Sequence, residues 1–80
     1  MRIIYHPSFQ RALKKLPLSV RGKFEKQVIY LMENIRHPSL RAKKYDESSD
    51  LWQARVDGSV RFYFFIEKDS YTLVNIRKHR

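Results

Sequence analysis

Apolar residues recur along this 80-residue chain with two different periods. Phe9, Ala12, Leu13 and Leu16 fall at i, i+3, i+4 and i+7, one stripe of a helix. After Pro17 the same period returns in Val20, Phe24, Val28, Leu31, Met32 and Ile35. Pro7-Ser8 opens the first helix, because proline is tolerated in a first turn. Ser19 is placed to cap the second, and His37-Pro38 stops it. So brief a connection predicts a two-helix hairpin.

The remainder alternates with period two. Ile3, Ile4 and Tyr5 predict a short first strand, and residues 40–45 a basic edge strand closed by the polar turn at 46–50. Trp52, Ala54 and Val56 alternate with Gln53, Arg55 and Asp57, and Asp57-Gly58 signals a hairpin. Val60, Phe62, Phe64 and Ile66 then alternate with Arg61, Tyr63, Phe65 and Glu67. Past Lys68-Asp69-Ser70, Thr72, Val74 and Ile76 alternate with Leu73, Asn75, Arg77 and His79. The prediction is one α+β domain over residues 1–80, ordered β-α-α-β-β-β(-β). Its helix hairpin packs on one face of a twisted antiparallel sheet.

Parity then assigns chemistry to the other face. Successive strand residues point to opposite sides. If Val56, Phe62, Phe64, Val74 and Ile76 meet the helices, then Gln53, Arg55, Arg61, Tyr63, Asn75, Arg77 and His79 share the uncovered side. That side suits a phosphodiester: guanidinium groups bind phosphate bidentately and stabilise a transition state richer in charge. Tyrosine stacks on bases, and histidine or tyrosine moves protons. With no carboxylate pair on this face, the expected chemistry is metal-independent attack by an RNA 2′-hydroxyl. The run Arg36, His37, Arg41, Lys43 and Lys44 reads either as a phosphate track or as a solvated loop. Trp52 reads as core or interface sooner than as a stacking platform.

Composition narrows the field. A net charge of +9 on so small a domain points to nucleic acid, a ribosome-like surface or an acidic protein. The chain has no cysteine, which excludes disulfide scaffolds and cysteine zinc sites. Its three histidines, His6, His37 and His79, lack metal-ligand spacing, and no cofactor motif is present. The longest apolar run, residues 62–66, is far below the roughly 20 a membrane helix needs, and the first residues do not read as a signal peptide. The expected location is the cytoplasm.

Several phrases, in order, resemble the RelE/ParE superfamily of bacterial toxins. They are Tyr5-His6-Pro7-Ser8-Phe9 with Leu13-Lys14-Lys15-Leu16-Pro17, then His37-Pro38-Ser39-Leu40-Arg41. Leu51-Trp52-Gln53-Ala54-Arg55-Val56, Val60-Arg61-Phe62-Tyr63-Phe64 and Val74-Asn75-Ile76-Arg77-Lys78-His79-Arg80 follow. The resemblance implies the toxin of a toxin-antitoxin pair, held inactive by an acidic antitoxin. In the RelE branch the implied activity is cleavage of mRNA on the ribosome; in the ParE branch it is inhibition of DNA gyrase. A third reading is an inactive member that only binds its antitoxin or the ribosome. The RelE reading makes Arg61, Arg55, His79 and Tyr63 the catalytic candidates. Gln53, Arg77, Lys43, Lys44 and Arg41 are then the substrate-binding ones. Gln53 stands where a lysine is often found. The C-terminal tyrosine of the RelE branch has no counterpart, which leaves proton transfer to His79 or Tyr63.

Overall fold

A computed structural model describes residues 1–79. Strand β1 (Arg2–Tyr5) leads into helices α1 (Pro7–Lys14) and α2 (Leu18–Glu33). Four strands follow: β2 (Lys43–Asp46), β3 (Leu51–Arg55), β4 (Val60–Glu67) and β5 (Ser70–Lys78). They form one five-stranded sheet in the order β1-β5-β4-β3-β2. The three pairs from β2 to β5 are antiparallel, as successive strands joined by short turns must be. The first strand departs from the expected all-antiparallel sheet. It runs parallel to β5, and the two helices supply the crossover that a parallel pair requires.

Both helices bury aromatic side chains against one face of the sheet. The rings run in contact from α1 to β5. Phe9 lies 5.2 Å from Phe24, Phe24 5.4 Å from Phe62, Phe62 5.7 Å from Phe64, and Phe64 5.6 Å from Tyr71. Leu31, Leu40, Leu73 and Ile76 fill the space around them. In a domain this small, such dense aromatic packing offsets the ordering entropy. Gln27 is the polar residue of α2 inside this layer. Its Nε2 donates to the carbonyls of Ser39 and Arg55, tying the helix to the loop before β2 and to the end of β3. No helix among the described residues is long and apolar enough to cross a membrane.

Two local expectations fail for identifiable reasons. Ser19 does not cap α2; the helix starts one residue earlier, with Pro17 at the cap position and no side-chain bond there. In β5, Tyr63 pairs with Asn75 but Phe64 with Leu73, so Val74 is an extra residue in a β-bulge. The bulge shifts parity. Leu73 is fully buried in place of Val74, and Thr72 sits opposite Phe65 on the far side. Side chains satisfy the disrupted ladder: the Ser8 hydroxyl donates to the Val74 carbonyl at 2.7 Å, and Asn75 Oδ1 accepts from the Ile76 N–H at 2.9 Å. Beyond the bulge, the expected parity of Asn75 and Arg77 holds.

Candidate nucleic-acid site

Register decides which side chains meet. Arg55 on β3 lies opposite Arg61 on β4, and Arg61 opposite Arg77 on β5. Two residues along, past the buried row of Ala54, Phe62 and Ile76, Lys43, Gln53, Tyr63 and Asn75 oppose one another across four strands. Directly opposed residues share a face. The helix-free side therefore carries a line of three arginines beside a line of polar residues.

A hollow of about 210 Å³ opens there, lined by Arg41, Lys43, Gln53, Arg55, Arg61 and His79. The β3–β4 hairpin builds much of it. The Asp57 carbonyl accepts from Arg55 Nε at 3.2 Å and from Arg61 NH1 at 2.8 Å, aligning the two guanidinium groups. The backbone N–H of His79 donates to the Ser59 carbonyl at 2.6 Å, fixing the last described residue beside them. Asp-Gly hairpins usually need positive φ, yet Gly58 has none. Here the Asp57 carboxylate shapes the turn, accepting from the N–H groups of Ser59 at 2.8 Å and Val60 at 2.9 Å.

That carboxylate sits below the usual carboxylate range. The Ser59 N–H is the main cause, partly opposed by burial and assisted by the Val60 N–H and by Lys23. A carboxyl group with a lower pKa folded than unfolded stabilises the fold above its unfolded value, about 3.9, and loses that contribution as pH falls through the folded value. The wild type should therefore lose stability on acidification below about pH 4. Asp57→Asn should lose less over the same interval, as measured by urea melts followed by circular dichroism at a series of pH values.

The remaining candidates divide. Arg77 belongs to the arginine line, but its guanidinium lies over the Tyr63 ring, 4.8 Å from the centroid, with NH2 3.4 Å from the Tyr45 hydroxyl. The Tyr63 and Tyr45 phenols hold it still more firmly in the charged form. Tyr63 is only 2% exposed and lies edge-on to Tyr45, centroids 5.2 Å apart, so it supports Arg77 from beneath and does not line the hollow. Lys44 leaves the group: it is paired with Trp52 on the opposite face of the sheet and bonds Asp50 at 3.0 Å. Tyr45 is the residue that sequence reasoning missed. Its parity with Lys43 in the edge strand was the available signal.

Two features of the site carry an energetic cost. Gln53 Oε1 is buried with no hydrogen-bond partner, a penalty of about 1–3 kcal/mol. Arg41, with φ of 46°, occupies the left-handed region, where a non-glycine residue stores roughly 1–3 kcal/mol of strain. Among the described residues only Lys23–Asp57 and Lys44–Asp50 form ion pairs, so no carboxylate neutralises Arg41, Lys43, Arg55 or Arg61.

A scan against family models returns no match, and a search of curated proteins likewise returns none. Solved structures do match. The YoeB/ParE toxin from Agrobacterium tumefaciens superposes with a TM-score of 0.82 over 100% of both chains at 10% identity. The chain has the RelE/YoeB toxin fold. The YoeB dimer from Staphylococcus aureus gives a TM-score of 0.81 at 10% identity, covering 100% of this chain and 98% of that one. RelE in the archaeal RelE-RelB complex from Pyrococcus horikoshii OT3 gives 0.74 at 21% identity, covering 96% and 92%. The RelE-like fold thus spans nearly the whole chain.

Proposed function

We propose that this chain is the toxin of a toxin-antitoxin module and a metal-independent, ribosome-dependent mRNA endonuclease. The observation that carries the reading is the unneutralised cationic hollow around Arg55 and Arg61. Like charges placed opposite one another destabilise a sheet, and a bound phosphodiester removes that repulsion. The RelE-like fold and the RelE-RelB complex of the Pyrococcus protein support the antitoxin partner, and the charge of +9 suits an acidic one. The module would act in the cytoplasm.

Arg55 and Arg61 hold the scissile phosphate, with Arg41, Lys43 and Gln53 lining the hollow around it. His79 takes the 2′ proton as the oxygen attacks phosphorus. The new P–O2′ bond forms as the P–O5′ bond breaks, leaving a 2′,3′-cyclic phosphate and a 5′-oxygen that water protonates. Arg61 and Arg55 stabilise the added charge between these states. Arg77, set on Tyr63 and Tyr45, lengthens the cationic line.

Induction in cells followed by primer extension tests the reading. Wild type should arrest growth and give new codon-phased transcript ends. Arrest without such ends eliminates the nuclease, and gyrase-trapped DNA breaks would replace it with the ParE-type activity. Absence of both effects, with binding to an acidic antitoxin retained, would leave an inactive member.

A further inference from the structure

A second hollow, of about 480 Å³, adjoins the first and shares Arg41 and Lys43 with it. It lies between the connection from α2 to β2 and the start of β3, and its lining includes Arg36, His37, Lys44 and Trp52. The two differ in size in a way that matters. Small-molecule sites run from about 300 to 1,000 Å³, so the second has room for a nucleoside while the first suits a phosphate group.

We propose that this second hollow is a nucleobase subsite for the RNA residue adjoining the scissile phosphate. The inference rests on the RNA-cleavage reading above and assigns it a sequence-selecting element. Three observations carry it. First, the aromatic groups are held in place: Trp52 stacks on buried Phe64 with centroids 6.4 Å apart. His37 stacks on Tyr30 at 3.8 Å and 7°, while its Nδ1 accepts from the Ser39 N–H at 3.1 Å. That bond leaves Nε2 of neutral His37 as the donor. Second, the lining mixes cations with the Glu47 carboxylate. A bare phosphate would be repelled by Glu47, whereas a base edge offers donors to it and acceptors to arginine or lysine. Third, the strained backbone of Arg41 lies where the hollows meet, so one residue borders both the phosphate and the base.

Trp52 is the chain's only tryptophan, so the protein carries its own reporter. The probe is a fluorescein-labelled hexamer of 2′-O-methyl RNA, which cannot be cleaved, together with six versions that each lack one base. The intact hexamer should quench Trp52 emission. Removing the base at one position should weaken binding on the order of tenfold and abolish the quenching, with little effect elsewhere. His37→Ala should shrink that position's penalty to about twofold or less while the fold, checked by circular dichroism, persists. If anisotropy reports binding but all six abasic hexamers bind alike and Trp52 emission stays constant, the subsite is wrong and the nuclease reading stands. Should no hexamer bind at low salt and no new transcript ends appear in cells, the nuclease reading fails and the subsite falls with it.

Discussion

Arg61→Ala should slow RNA cleavage by about 10²–10³, the usual consequence of removing one charge-stabilising donor from a phosphoryl or acyl transition state. Arg61 sits at the centre of the arginine line, opposite Arg55 on one side and Arg77 on the other. Its NH1 is bound to the Asp57 and Val60 carbonyls, which aims the rest of the guanidinium at the hollow. Arg61→Lys keeps the charge but cannot hold the hairpin carbonyls and a phosphate at once, so it should recover only a small part of the rate. Single-turnover cleavage on programmed ribosomes measures both. A rate within threefold of wild type for Arg61→Ala would remove this residue from the mechanism.

Phe24→Ala should cost about 3–5 kcal/mol of stability. The ring is 2% exposed and bridges Phe9 on α1 to Phe62 on β4, so no neighbour can collapse into its place without separating helix from sheet. Natural domains are stable by roughly 5–15 kcal/mol, which makes this a large share for a small one. In a domain of this size each kcal/mol moves Tm by about 4–8 °C, so thermal melts should fall by at least about 12 °C. A fall below about 5 °C would show that the aromatic row is not what couples the layers.

Element order and the charged face were legible because period and parity are local properties. Arg55, Arg61 and Gln53 share the helix-free side because hydrophobic burial of Ala54, Val56 and Phe62 leaves them nowhere else to point. Most of the errors came from interactions distant in sequence. The bulge at Val74 depends on Ser8, 66 residues away, accepting the task of satisfying a freed carbonyl. The parallel pairing of β1 depends on which sheet edge lies free once β5 has formed. Tyr63 was placed on the correct face, but its burial comes from Tyr45 and Arg77 closing over it from neighbouring strands. Lys44 was grouped with Lys43 by charge, although adjacent residues of a strand cannot share a side.

The β3–β4 hairpin offers its own carbonyls as fixed pegs. Asp57 carries Arg55 and Arg61, and Ser59 carries the backbone of His79. Three groups from separate stretches of sequence are therefore registered against a loop of a few residues, whose shape a single carboxylate sets. Lengthening that loop by one residue would displace the carbonyls that hold all three. Loop length therefore bears on the site as directly as the arginines themselves.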